Sequence, residues 1–270
     1  MKTINSLSGG KTSSFMAVHY PADFNLFSLV TIEDKNCSPN DKILIKKVSD
    51  KIGKEFIATV EDDKTLKVIF DLEQLIGNEI IWVAGDSFES IINKKQMLPS
   101  SLTRFCTSEM KMRPIWNWWY NNINEKIKMG IGYRWDEMER AERFTSTFKG
   151  VVGKSSNGRN KWKDIEWREG YFPLIENKIT NLPVKVWANK TNIDFPEDSN
   201  CVGCFHKSKQ QLRKNFDLNK NKMQWFVNQE IKAKGTWKNG ILYQNIEKLG
   251  LQLDFNYGGG SGCQGGFCTD

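Results

Sequence analysis

Short apolar runs alternate with amphipathic stretches along the first 145 residues, and this alternation constrains the fold more than any other feature of the chain. β-prone runs at 3–7, 26–32, 55–60 and 127–134 are separated by helical patterns at 13–19, 39–53, 65–77 and 87–97. The run 79–85 reads as a strand or a buried helix turn, 107–123 as a helix broken near Pro114, and 136–144 as a further helix. Strands interleaved with helices in this way pair in parallel through crossovers, so the pattern predicts an α/β fold doubly wound around a parallel sheet. Ligands on such sheets bind at the carboxyl ends of the strands. The loop after residue 7, the acidic turn Glu33-Asp34 and the segment after Tyr133 are all strand ends, and they are expected to share one crevice.

The first of these ends carries the most chemistry. In "TINSLSGGKTSSFMAVHY" (3–20) a strand runs directly into Ser8-Gly9-Gly10-Lys11-Thr12-Ser13, and a helix follows at once. Adjacent glycines let successive N–H groups point the same way, the hydroxyls add donors, and the helix start turns its positive dipole end toward an anion. The coincidence of strand, glycines, lysine, hydroxyls and helix favours a phosphate-binding loop over a plain capped turn. A Walker loop is the obvious candidate, but Asn5 stands where its leading glycine belongs.

Composition bounds the partners. The 270 residues are 39% hydrophobic and 26% charged, ordinary for a globular chain of one α/β domain with an appendage or of two small domains. No apolar run approaches a membrane span, and the first residues lack the apolar core of a signal peptide, so a cytoplasmic protein without membrane contact is expected. The net charge of +7 suits anionic partners, from a nucleotide to RNA or DNA, although the lysines are scattered rather than gathered in one stripe. Six cysteines, at 37, 106, 201, 204, 263 and 268, point in such a chain to metal or redox chemistry rather than to a disulfide framework. Two histidines, His19 and His206, leave little material for a His-based triad.

Three further constellations follow in order. In "RFCTSEMKMRPI" (104–115), Arg104, Lys111 and Arg113 surround Cys106, and Thr107 and Ser108 offer cap oxygens if a helix begins there. In "GIGYRWDEMERAER" (130–143), Gly130 and Gly132 allow close backbone approach, while Arg134, Glu137 and Arg140 fall about a helical turn apart; that spacing suits either an anion-facing surface or a salt-bridged, solvated helix. In "NCVGCFHKSK" (200–209), Cys201 and Cys204 form a C-x-x-C turn able to put two thiolates on one cation, with Lys207 and Lys209 near to offset their charge and His206 read as exposed beside it. Residues 150–170 read as a mobile Gly/Ser/Lys-rich loop followed by an extended segment, and the Trp-rich stretch 115–123 as core.

Taken in order, these motifs resemble the phosphoadenosine phosphosulfate (PAPS) reductase-like branch of the PP-loop, or adenine nucleotide α-hydrolase-like, superfamily over roughly residues 1–210. Ser8–Ser13 resembles its S-G-G-x-[DT]-S loop, Cys106-Thr107…Lys111…Pro114 its C-[CT]-x-x-x-K-x-x-P element, Gly132…Arg134…Glu137…Arg140 its G-x-R-x-x-E-x-x-R element, and Pro173-Leu174 its "PL". The resemblance implies a five-stranded parallel sheet, with residues 1–150 as the nucleotide-binding domain and 151–270 as an extension bearing the Cys site. It implies that Ser8, Gly9, Gly10, Lys11, Thr12, Ser13, Gly132, Arg134 and Arg140 contact the nucleotide, with Lys11, Lys111 and Arg134 acting in catalysis. It also implies a metal site, a [4Fe–4S] cluster or otherwise Zn²⁺, at Cys106, Cys201 and Cys204, with a fourth ligand from Cys263 or Cys268.

Two departures stand out. Thr12 replaces the usual Asp of the loop, and the tail around Cys263 and Cys268 lacks the Glu and His that flank the nucleophile of sulfonucleotide reductases. The expected activity is therefore attack on the α-phosphorus of ATP with Mg²⁺, adenylating an acceptor such as a tRNA or DNA base for sulfur transfer. The alternatives are thiol-dependent reduction of PAPS or APS, and non-catalytic binding of a nucleotide or nucleic acid. The acceptor, the sulfur source and the oligomeric state stay open.

Overall fold

The computed structural model describes residues 1–197 and 199–250. Strand β1 (Thr3–Leu7) leads into α1 (Lys11–His19), then β2 (Phe24–Leu29), β3 (Thr31–Ile32), α2 (Lys42–Ile52), β4 (Ala58–Thr59), α3 (Asp63–Ile76), β5 (Ile80–Ala84) and α4 (Phe88–Lys95). A short α5 (Phe105–Thr107) passes through a π-helical turn at Ser108–Met112 into α6 (Arg113–Asn122). After β6 (Ile127–Ile131) come α7 (Met138–Glu142), the strands β7 (Thr147–Lys154), β8 (Asn160–Glu166) and β9 (Arg168–Tyr171), then α8 (Pro173–Glu176), α9 (Asn181–Lys190), α10 (Lys209–Leu218), α11 (Lys220–Ala233) and α12 (Tyr243–Glu247).

Five strands form one all-parallel sheet in the order β5-β2-β1-β6-β9. The chain winds outward from β1 to β5 on one side and resumes at β6 on the other, so the order reverses between β1 and β6. That reversal opens a crevice at the carboxyl ends of the two strands, where ligands of such sheets bind. Alternate residues of each strand feed opposite layers, as the two-residue strand period demands. Leu7, Phe27, Ile80 and Trp82 pack under α2 and α3, while Ile4, Leu26, Met129 and Ile131 pack under α6 with Trp116 and Trp119. The helices are delimited where the sequence offers caps. Asp41 accepts from the N–H groups of Ile43 and Leu44, Asp62 from that of Lys64, and α2 and α3 stop at the left-handed residues Gly53 and Gly77.

The fifth sheet strand is not the one that apolarity suggests. The run 55–60 contributes only Ala58–Thr59, laddered antiparallel to Thr31–Ile32 outside the main sheet. Its apolar side chains serve another purpose. Ala58 and Val60 join Val30 and Ile32 beneath α10–α12, in a core with Val202, Phe205, Trp225, Phe226 and Trp237. The sheet is completed instead by Arg168–Tyr171, which follows a β-hairpin, β7–β8, where composition suggests a mobile loop. The hairpin's polar residues face outward, while Phe148, Val152 and Ile165 pack on the α6 layer. Among the described residues no helix is long and apolar enough to cross a membrane.

Candidate functional site

The loop between β1 and α1 is built by its own hydroxyls and wedged by its neighbours. Ser8 N–H donates to Ser13 Oγ at 3.2 Å, and Ser13 Oγ donates to Gly10 O at 3.1 Å, which ties the two ends of the loop together. Gly9 is left-handed, at φ +70°, and a Cβ there would lie 2.5 Å from Thr65 Cγ2 at the start of α3. A Cβ on Gly10 would lie 2.6 Å from Ser199 Oγ. Both glycines are thus required by close approach, one to α3 and the other to the segment that leads into the C-x-x-C turn. Gly10 is also the N-cap of α1, and no side chain caps that helix. The first-turn N–H groups of a helix have no intrahelical acceptor, so they are available to an anion.

Across the reversal in strand order, the segment after β6 closes on this loop. A Cβ on Gly132 would come within 3.3 Å of the Ser13 N and Cα atoms, so the two backbones nearly touch. Arg134, only 4% exposed, donates through Nη1 to Thr12 Oγ1 at 3.2 Å. Two of the three strand ends expected to share a crevice therefore meet, bringing Ser8–Ser13, Gly132 and Arg134 together. Glu33, from the third, is instead engaged at the start of α4, accepting from Ser87 Oγ at 2.5 Å and donating its N–H to Glu89 at 3.1 Å. The basic and acidic residues of the segment after β6 fold onto one another. Arg134 pairs with Asp136 at 3.1 Å and Glu137 at 3.3 Å, and Arg140 pairs with the same Glu137 at 2.7 Å while lying 4.5 Å from the Tyr133 ring centroid. Both guanidinium groups are held in place by carboxylates, the salt-bridged arrangement that the spacing also allowed.

The cysteines gather at a second, adjoining place. A cleft of about 430 Å³, its open mouth included, is lined by Arg104, Cys106, Lys111, Cys201, Cys204 and His206, among others. The C-x-x-C turn is anchored through its backbone: Val202 N–H donates to Val60 O at 2.8 Å, Asn215 Nδ2 to Val202 O at 2.6 Å, and the Tyr243 hydroxyl to Gly203 O at 2.9 Å. Asn200 lines the cleft and its neighbour Ser199 touches the loop, so one short segment joins the two places. The loop itself does not line the cleft. Thr107 and Ser108 do not cap a helix: Thr107 Oγ1 accepts from Arg104 and Ser108 Oγ donates to Phe105 O. The break near Pro114 is the π-helical turn just before it, where Arg113 N–H reaches back to Ser108 O. Turns of this kind recur at functional sites.

Burial sets the electrostatics of the cleft. It pushes the Cys106 thiol up to about 11, with Cys204 adding to the effect and Arg104 opposing it, and it pushes the Cys201 thiol higher still against the pull of Lys111. Burial alone would lower Lys111, but the charges of Glu61 and of the nearby sulfurs outweigh it and hold the ammonium at about 12. His206 is half-buried in the cleft wall rather than exposed, and burial, with Arg104 and Lys238, lowers it to about 4, so it is neutral at pH 7. Three thiols beside a cation are a donor set of the right chemistry for a soft metal. Their arrangement is not: among the described residues no group of three or more His, Cys, Asp and Glu side chains could hold a metal ion. Cys263 and Cys268 lie outside the described residues.

Three residues of the site are not flagged by any motif. Thr65 and Ser199 wedge the loop, and Glu61 holds Lys111. Glu61 alone had a signal in the chain, as an acidic residue at the end of an apolar run. Comparisons with protein-family models, with curated proteins and with solved structures each return no match.

Proposed function

We propose that this chain is a PAPS reductase-like PP-loop enzyme that binds ATP in the crevice between β1 and β6 and opens it at the α-phosphorus. The observation that carries the reading is the uncapped start of α1 at Gly10, walled by the Gly132 backbone and by Arg134 on Thr12. The cradle has no room for a Cβ at Gly9 or Gly10 and only a tight fit for one at Gly132, and its N–H groups and Lys11 suit the three phosphates of a nucleotide. An oxygen of an acceptor attacks the α-phosphorus, the bond to the bridging oxygen breaks, and pyrophosphate leaves with that electron pair. The acceptor is then adenylated. A sulfur nucleophile attacks the acceptor carbon and AMP departs with the oxygen. Lys11 and the α1 N-terminus stabilise the leaving pyrophosphate. Arg134 positions Thr12, and Lys111 supplies positive charge at the adjoining cleft. The acceptor that best suits the charge of +7 is a nucleic-acid base.

The test is release of AMP and pyrophosphate from ATP and Mg²⁺ in the presence of candidate nucleic acids. A Lys11→Ala, Ser13→Ala double variant is expected to lose the activity, and undiminished turnover by that variant would remove the loop from the mechanism. Reduction of an adenylyl-sulfate is the less supported reading. Its thiol nucleophile would be Cys263 or Cys268, and the tail around them lacks the Glu and His that flank the nucleophile of sulfonucleotide reductases.

A further inference from the structure

The β7–β8 hairpin is a candidate docking arm for a polyanion. Between Thr147 and Glu166 it carries five basic residues, Lys149, Lys154, Arg159, Lys161 and Lys163, all exposed. None of the five has a carboxylate within ion-pair distance among the described residues, whereas lysines elsewhere, such as Lys51, Lys64, Lys94 and Lys214, are paired. The two acidic residues of the hairpin do not cancel this charge: Asp164 faces Lys149 across the strands without pairing, and Glu166 is taken by Lys126.

Amid these charges sits an aromatic surface. Trp162 is 49% exposed, an unusual place for the largest apolar side chain, and it is held rather than loose. The Arg113 guanidinium lies 5.0 Å from its ring centroid and 5.3 Å from that of Phe148, and Glu109 fixes Arg113 at 2.6 Å. The arm is itself anchored: Gly150 lies so close to the Trp116 ring that a Cβ would sit 2.1 Å from it. An exposed, oriented ring among unpaired cations is the combination by which proteins hold unpaired nucleic-acid strands, the cations tracking phosphates and the ring stacking a base. A duplex offers no base face to such a ring.

We infer that the β7–β8 hairpin binds single-stranded nucleic acid, with Trp162 stacking a base and Lys161 and Lys163 contacting phosphates. This deepens the proposed function, resting on its reading of the acceptor as a nucleic acid. Fluorescence anisotropy of the full chain with labelled 20-nucleotide single strands of RNA and of DNA, and with the matching duplexes, tests it. At least one single strand is expected to bind more tightly than its duplex, and the two single-strand arms tell RNA from DNA. Trp162→Ala should weaken that binding about tenfold. Lys161→Ala/Lys163→Ala should lower the slope of log affinity against log salt by about 1.4. Lys42→Ala/Lys46→Ala, which removes the same charge from α2, should leave the affinity within about twofold if binding is confined to the hairpin rather than spread over the surface. Absence of single-strand binding, equal binding of duplex, or an equal loss in the α2 control overturns the inference. Binding of ATP is measured on the same samples. Its absence beside intact hairpin-dependent strand binding overturns the proposed function alone, and its presence without strand binding overturns the hairpin alone.

Discussion

Lys111 Nζ lies 3.2 Å from Glu61 Oε1, and the carboxylate it meets is only 1% exposed. The other oxygen, Glu61 Oε2, has no hydrogen-bond partner. Burial raises the Glu61 carboxyl above its usual range and Lys111 opposes that rise, so the pair holds its charges only together. A buried ion pair of this kind costs more to halve than to replace. Lys111→Met is expected to destabilise the fold by about 3 kcal/mol, and the double variant Glu61→Leu/Lys111→Met to recover to within about 1 kcal/mol of the parent. Urea unfolding of the parent, both single variants and the double variant measures the coupling. Additive losses would mean that the two side chains do not depend on each other. Nucleotide binding should survive in the double variant, because neither residue touches the Ser8–Ser13 loop.

Gly132 sits against the helix start rather than at a turn, and this sets the outcome of adding one methyl group. A Cβ 3.3 Å from Ser13 N and Cα presses on backbone, which yields less readily than the end of a side chain. Gly132→Ala is expected to weaken ATP binding about tenfold by displacing the α1 N-terminus. Gly77→Ala is the control. Its φ is +64° and its Cβ would meet nothing within 4 Å, so it should cost about 1 kcal/mol of stability and leave ATP binding unchanged. Calorimetric titration with ATP, beside a melting curve for each variant, separates the two effects.

The sequence discloses the sheet, the loop and the order of the motifs because each rests on local signals. Periodicity marks the strands, and Gly9-Gly10 beside hydroxyls marks the turn. What it hides depends on contacts far along the chain. Thr65 and Ser199 enter the site only because β1 lies beside α3 and because the segment before Cys201 folds over the loop. The run 55–60 looks like a sheet strand, since apolarity does not distinguish a sheet position from burial beneath α10–α12. The hairpin is masked by its own exposure: its outer face is mostly charged and polar, and its inward-packing residues, Phe148, Gly150, Val152 and Ile165, are few and scattered. The spacing of Arg134, Glu137 and Arg140 correctly marks a cluster but not its sense, because mutual pairing and anion binding call for the same residues.

Glu109 gives a pH dependence with a definite sign. It bridges Lys95 at 3.1 Å and Arg113 at 2.6 Å. Burial alone would raise its carboxyl, but the hydrogen bonds and charges of Arg113 and Lys95 outweigh burial and hold it below its ordinary value of 4.5. A carboxyl depressed in the folded state stabilises the fold at pH values above its unfolded pKa, and the contribution is lost as pH falls through the folded one. Glu109→Gln should therefore lower stability by about 1 kcal/mol at pH 7, and the difference from the parent should shrink as the pH is taken below 4.5. Denaturant midpoints at pH 7 and pH 3 check it. A difference of the same size at both pH values would assign the loss to packing rather than to charge.

Gly150 fixes the hairpin to the body of the protein. It pairs with Lys163 across the ladder and lies flat on Trp116, whose ring occupies the space a Cβ would need. The contact is with a buried indole between Trp119, Tyr120 and Phe148, so the ring has little freedom to yield. Gly150→Ala is expected to cost about 1–3 kcal/mol by overpacking and to lift β7–β8 from α6. The loss should be local, because the sheet order and the Ser8–Ser13 loop depend on other contacts. Hydrogen exchange resolved by mass spectrometry should show faster exchange in residues 147–166 while β1, β2 and β6 keep their protection. Uniform acceleration across the sheet would mean that the hairpin is part of the cooperative core rather than an arm laid on it.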